Sequence, residues 1–170
     1  MKKLLISAAM LSTLMLVGCD HHKPDTHNVI HNEVDMSATP VELKLSPKFQ
    51  NVLKKEMLEI QTAMQKILPL LAKGESEKTA QLAKQIHNSF ILKQTLTPDE
   101  LKALVKLLPA PFIKIDRAFH DQASKLAKAA KQSNFKKSSE IYGRLVNACV
   151  NCHSQFAHEL FPGLKKTTTQ

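Results

Sequence analysis

The stretch NVLKKEMLEIQTAMQKILPLLAKG, residues 51–74, places apolar side chains at alternating steps of four and three residues. This spacing is typical of one face of an α-helix packed in a bundle. Ser46 and Pro47 precede the stretch as an N-cap and a first helical residue, and Lys73-Gly74 ends it with a cation and a glycine. The apolar seam that the spacing predicts comprises Leu53, Met57, Ile60, Met64, Ile67 and Leu71.

The rest of the chain continues this helical pattern. A second helix is predicted over about residues 75–92, and Thr97-Pro98-Asp99-Glu100 is a capping box that opens a short helix through residue 107. Pro109 and Pro111 break the pattern before two more long helices, over about residues 112–131 and 135–160. No segment has the pattern of a strand. The sequence therefore predicts an all-α fold, an antiparallel four-helix bundle.

The last predicted helix contains Cys149-Val150-Asn151-Cys152-His153, and CxxCH is the spacing at which a c-type haem is attached covalently. The two thiols add to the vinyl groups of the porphyrin, and the adjacent imidazole becomes an axial ligand of the iron. On a helix, positions i, i+3 and i+4 share one face, so all three side chains point at one macrocycle. We therefore expect haem c, with its iron, as the cofactor, bound covalently to the last helix.

A redox disulfide and half of a zinc site are the alternative uses of such a CxxC. The C-terminal half contains no second CxxC and no His-x3-His pair that would complete a zinc site, and His158 alone is insufficient. A thioredoxin-type CxxC opens a helix after a strand, whereas the flanks of this motif are continuous helix. Haem attachment is favoured over both alternatives, which stay open as minor ones.

Residues 1–18 have the organisation of a secretory signal peptide, with Lys2 and Lys3 followed by an apolar stretch. The sequence Leu16-Val17-Gly18-Cys19 looks like a bacterial lipobox, in which Cys19 becomes the acylated first residue. An ordinary signal peptide followed by an unused cysteine is the alternative. The cysteine count favours lipidation, because it assigns one thiol to lipid and two to haem.

We therefore expect a periplasmic protein that is anchored to a bacterial membrane through Cys19. Asp20 resembles an inner-membrane retention signal and slightly favours that membrane. Residues 19–45 have the character of a flexible tether with four histidines, residues 46–163 form the bundle and residues 164–170 form a tail. The tether histidines are His21, His22, His27 and His31.

The net charge of the chain limits the kinds of partner that it can be expected to bind. Removal of residues 1–18 leaves 152 residues, enough for one domain and a tether, and lowers the formal net charge from +9 to +7. A basic surface suits an acidic redox partner protein or anionic lipid headgroups. No nucleic acid partner is expected outside the cytoplasm.

A four-helix bundle with CxxCH in its final helix resembles the cytochrome c′ family, the class II c-type cytochromes, over about residues 47–161. The resemblance implies that Cys149 and Cys152 are the thioether attachment points and that His153 is the proximal ligand. Ala157 stands where the family often has Arg or Lys close to the proximal face of the haem. Relatives commonly pair through helix faces, so a homodimer is a partner state that the resemblance allows.

In this family the first helix presents one residue over the open face of the iron. An apolar residue there leaves a five-coordinate, gas-binding haem, whereas a methionine can give a six-coordinate electron carrier. Met57 and Met64 lie about 10 Å apart along the first helix, so only one of them can face the iron. Met57 is the possible distal ligand, and a core-filling role for both methionines is the alternative. His87 and His120 are expected to be exposed.

These expectations lead to a monohaem c-type cytochrome in periplasmic one-electron transfer. The first alternative is a five-coordinate haem module that binds NO or CO as a sensor or buffer. The second alternative is a haem-free, membrane-tethered metal-binding protein. The sequence contains no recognisable hydrolytic or group-transfer site, so no enzymatic activity is expected.

Overall fold

The computed structural model describes residues 41–89 and 95–164, and all regular structure in these two ranges is helical. The predicted signal peptide, Cys19, the four tether histidines and tail residues 165–170 lie outside the described residues. None of the described helices is apolar over enough length to cross a membrane. The helices are α1 (Pro47–Ala72), α2 (Ser76–Asn88), α3 (Pro98–Leu107), α4 (Ala110–Lys131) and α5 (Phe135–Phe156), followed by a 3₁₀ turn at Pro162–Leu164.

The predicted helix starts are confirmed where a local signal exists. α1 begins directly after Ser46 with Pro47 as its first residue, where proline needs no backbone N–H. At the start of α3 the Glu100 N–H donates to the Thr97 hydroxyl at 3.3 Å, and the Glu100 carboxylate accepts from the Thr97 N–H at 2.9 Å. Gly74 after α1 has a φ of 71°, a left-handed conformation that glycine adopts without strain.

Three predicted boundaries differ from the structure. α2 ends at Asn88, because Ser89 turns to a φ of 65°; the predicted continuation to residue 92 falls partly in residues 90–94, outside the described ranges. α4 begins at Ala110, earlier than predicted, because a proline in the first turn of a helix loses no hydrogen bond. α5 ends at Phe156 instead of Leu160, because the backbone of Ala157 leaves the helical region at φ −144°.

α1, α2, α4 and α5 form the antiparallel four-helix bundle. Neighbouring helices pack closely in the order α1, α2, α4, α5. The last helix, α5, also packs against α1, over a smaller interface. Tyr142 spans this last interface, since its hydroxyl donates to the backbone carbonyl of Met64 at 3.1 Å. The predicted all-α four-helix bundle is therefore confirmed, with α3 as a short connecting helix.

The buried face of α1 is rotated slightly from the predicted seam. Ile60, Met64 and Ile67 are buried as predicted, whereas Leu53, Met57 and Leu71 are only half-buried. Val52, Glu56 and Ala63 take the remaining buried positions. The three half-buried residues lie on the flank of this face, which leaves Met57 at the edge of the core and not at its centre.

Residues 41–45, which the sequence pattern places in the tether, have no regular secondary structure, and two of them bond to the end of α5. The Val41 N–H donates to the Gln155 carbonyl at 2.8 Å, and the Leu43 N–H donates to the Phe156 carbonyl at 3.2 Å. These carbonyls belong to the last turn of α5, where a helix has no partners of its own. Val41 and Leu43 are therefore attached to the end of the bundle helix α5.

Candidate haem attachment site

The CxxCH residues occupy the last two turns of α5. Cys149 and Cys152 are free thiols and are both half-buried. Cys152 packs against an apolar cluster that includes Phe112 and Phe156, and the charge of Asp116 on α4 reaches it. Cys149 lies near the Tyr142 phenol on the other flank of the helix. The two thiols thus lie side by side along the interior of the bundle, one toward α4 and one toward the interface with α1.

Both thiols are held in the protonated form. Burial raises the pKa of Cys152 to about 12, and its proximity to Asp116 and to the Cys149 thiol acts in the same direction. Burial also raises the pKa of Cys149. A CxxC that exchanges disulfides normally has a lowered thiol pKa, at the start of a helix. This pair lies near the end of a helix, so its environment does not suit dithiol redox chemistry.

A zinc site is also disfavoured. Across residues 41–89 and 95–164, no three His, Cys, Asp or Glu side chains come together as a metal-binding group. A structural zinc ion requires four such ligands in tetrahedral arrangement. Within that part of the chain, Cys149 and Cys152 therefore have no partners that would complete the site.

His153 follows one turn after Cys149 and has the electronic form that iron binds. Burial lowers the pKa of its imidazole, which keeps the ring neutral with a free nitrogen lone pair. Within the described ranges no hydrogen-bond donor or acceptor pairs with either ring nitrogen, and the contact that orients the ring is the parallel ring of Phe161. Two adjacent thiols and a neutral imidazole are the donor set that haem c requires, so the residues fit this group.

The register of α1 against α5 places the candidate distal residues. The Tyr142 hydroxyl meets the Met64 carbonyl, and the two helices run antiparallel. Seven residues along α5, from Tyr142 to Cys149, therefore correspond to seven residues back along α1, from Met64 to Met57, about 10 Å on each helix. Met57 lies level with Cys149 to within a helical turn, and Leu53 lies level with His153.

A buried polar cluster, which sequence reasoning missed, lies in the same layer of the bundle. Glu56 is 1% exposed and accepts a hydrogen bond from the Ser89 hydroxyl at 2.8 Å. The His120 ring donates from Nδ1 to the Ile86 carbonyl at 2.6 Å, and its Nε2 lies 3.6 Å from Asp116. The sequence contains one signal for the burial of Glu56: this residue lies four positions before Ile60, so on a helix it shares the buried face of α1.

The expected exposure of His87 and His120 is wrong. The His87 ring donates from Nδ1 to the His120 carbonyl at 3.0 Å, and the His120 ring bonds back to α2 at Ile86. Both rings are partly buried between α2 and α4. Each lies beside its helix's apolar stripe, and in a close helix pair that flank faces the neighbouring helix and not solvent.

Replacing Asp116 with Asn is expected to lower the pKa of His120. Burial is the largest influence and disfavours the charged ring, but Asp116, the Ile86 carbonyl and Glu56 together outweigh it and raise the pKa. A raised folded-state pKa stabilises the protein at low pH. That stabilisation is lost as pH rises from 6.5, the ordinary value, through the folded value.

In D116N we therefore expect the pH dependence of the unfolding free energy to flatten in this window. Chemical denaturation across pH and an NMR titration of His120 measure the two effects. D99N, which removes an almost fully exposed carboxylate on α3, is the matched control and should leave both unchanged. An unaltered His120 titration in D116N would contradict the assignment.

Comparison with known proteins agrees with this geometry. A family model described as cytochrome C′ matches residues 48–157, which include the four bundle helices apart from Pro47 and the whole CxxCH motif. No curated protein and no solved structure gives a significant match to the chain. Because the match covers well over half of the sequence and carries the attachment motif on the expected helix, this chain belongs to the cytochrome c′ family.

Proposed function

We propose that this chain is a monohaem c-type cytochrome that transfers single electrons between partners outside the cytoplasm. Its family indicates a c-type haem protein. In the proposal Cys149 and Cys152 hold the haem through thioether bonds and His153 holds the iron. Bound haem supplies a one-electron redox couple, whose potential depends on the axial ligands and on burial.

The observation that supports electron transfer is the position of Met57. It is half-buried against the shared core, and it lies level with Cys149 in the register that the Tyr142–Met64 hydrogen bond sets. Helical side chains lean toward the N-terminus of their helix, so the His153 imidazole leans back toward the level of Cys149. The level of Met57 along the bundle therefore supports the proposal that its sulfur is the second ligand of the iron. Thioether and imidazole ligation raises the potential of a c-type haem, which suits an electron carrier.

The second candidate is a five-coordinate haem that binds NO or CO without turnover. The observation in its favour is Leu53, an apolar side chain level with His153 on the same flank of α1. If Leu53 instead of Met57 lies over the iron, the sixth position has no protein ligand. The choice between the two functions then depends on which of two residues, one helical turn apart on α1, lies over the iron.

A pair of volume-conserving variants tests the proposal. The ferric wild type is expected to be low-spin, and Met57→Leu is expected to make it high-spin because the thioether sulfur is lost. Met64→Leu is the matched control, since Met64 is buried in the core level with Tyr142 and should leave the spin state unchanged. Optical and EPR spectra of the ferric proteins report the result. A high-spin wild type would reject methionine ligation and favour gas binding.

We further propose a periplasmic location, with lipidated Cys19 as a membrane anchor and the inner membrane slightly favoured. The support is the sequence itself, through the signal-like residues 1–18 and the lipobox-like residues 16–19. A net charge of +7 after processing supports electrostatic docking of a redox partner protein. A homodimer through helix faces is compatible with this arrangement.

A further inference from the structure

The ring of Phe161 lies flat on the imidazole of His153. The two ring centroids are 4.3 Å apart, and the ring planes are inclined by only 8°. Phe161 lies five residues beyond the end of α5, outside the regular helix. Helical periodicity therefore does not account for this contact. After α5 ends, the chain folds back toward the helix to make it.

The return is built from several hydrogen bonds. The Ala157 N–H donates to the His153 carbonyl at 3.0 Å, and the Phe161 N–H donates to the Ala157 carbonyl at the same distance. On the outer side the Glu159 N–H donates to the Glu42 carboxylate at 3.2 Å, and that carboxylate also lies 3.2 Å from the His158 ring. After Phe161 the chain turns into the 3₁₀ segment Pro162–Leu164. Phe161 thus lies between two structured segments of the chain, one before it and one after it.

The stack is compatible with iron ligation by His153. The lone pair of a neutral imidazole nitrogen lies in the plane of the ring, whereas Phe161 covers the face of the ring. A ring on this face leaves the nitrogen edge free. Ala157, where the cytochrome c′ family often has Arg or Lys near the proximal haem face, leaves this chain without a basic side chain at that position.

We propose that Phe161 is the positioning residue for the proximal ligand His153, in place of a basic side chain. The inference rests on the proposed haem function and specifies its proximal side. The Phe161 ring restricts rotation of the imidazole and keeps water from its face. Outer groups that orient a ligating histidine also set how strongly it donates to the metal.

The stack covers one face of the imidazole with an apolar ring, and within the described ranges neither ring nitrogen has a hydrogen-bonded partner. Such an imidazole is a weaker donor than one bonded to a carboxylate, and an apolar neighbour disfavours the additional charge of ferric iron. Both effects favour the ferrous state. Loss of the Phe161 ring admits water to the imidazole and therefore favours the ferric state.

The test uses the full-length protein with haem attached, as wild type, Phe161→Ala, Phe161→Tyr and Leu160→Ala. In Phe161→Ala the equilibrium constant for reduction is expected to fall by about threefold to tenfold, where tenfold equals ~59 mV for one electron. The ferric EPR signal should also broaden as the imidazole samples more orientations. Phe161→Tyr retains the ring and should stay within about twofold of the wild type.

Leu160→Ala is the matched control, because Leu160 is the neighbouring residue and is 74% exposed. It should change neither the potential nor the EPR signal. A Phe161→Ala protein with unchanged potential and EPR signal would overturn the inference, as would an equal change in Leu160→Ala. A pyridine haemochrome assay on every sample separates this outcome from failure of the proposed function, since absence of covalent haem in the wild type would reject the latter.

Discussion

All covalently bound haem is expected to disappear when Cys149 and Cys152 are both replaced by serine. A serine hydroxyl does not form the thioether bond that a thiol forms with a haem vinyl group, and these two are the thiols of the described domain. Expression together with a c-type haem attachment system, followed by a pyridine haemochrome spectrum and haem staining of a denaturing gel, measures the loss. The wild type should retain one haem per chain after denaturation.

Cys19→Ser is the matched control for this experiment. It removes the third cysteine of the chain, which the proposal assigns to lipid. This variant should retain covalent haem at the wild-type level and lose membrane association. Haem that survives denaturation in the Cys149→Ser/Cys152→Ser protein would contradict the attachment site. Loss of haem in Cys19→Ser would contradict the division of the three thiols between lipid and haem.

Leu126→Ala is expected to lower the free energy of unfolding by about 2–5 kcal/mol. Leu126 has no exposed surface and lies in the core shared by α1, α2, α4 and α5, where truncation leaves a cavity. Domains of this kind are stable by only about 5–15 kcal/mol, so this one change removes a large share of the total. Chemical denaturation followed by far-UV circular dichroism measures it.

Leu68→Ala is the matched control for Leu126→Ala, since it makes the same truncation at a leucine that is 57% exposed on α1. A surface change of this kind alters the unfolding free energy by less than about 0.5 kcal/mol. Equal losses in the two variants would contradict the assignment of Leu126 to the core. The comparison requires equal haem content, because bound haem adds its own stabilisation.

Features that depend on a few neighbouring residues could be predicted from the sequence. The capping box at Thr97 and Glu100 needs only a hydroxyl and a carboxylate three residues apart, and both of its hydrogen bonds form. The position of the CxxCH motif on the last bundle helix could likewise be predicted, because its flanks have a continuous helical pattern. The four apolar stripes were sufficient for the bundle, since each requires a partner face.

Features that depend on which helices become neighbours could not be predicted in the same way. The partial burial of His120 follows from the packing of α2 against α4, and the burial of Glu56 follows from the packing of α1 against the end of α2. No single apolar stripe contains this information. The end of α5 is another case. Residues 157–160 include good helix formers, yet the helix stops at Phe156 where residues 41–43 bond to its last carbonyls. The Phe161 stack depends on this early stop.

The bonds between residues 41–43 and α5 also determine how the domain responds to mechanical load. A pull applied at residue 41 acts on the Val41 and Leu43 hydrogen bonds and on the Glu42 contacts before it acts on α1. These bonds join the chain to the same end of α5 that carries His153. A load on residues 41–43 therefore acts on the end of α5 that carries His153.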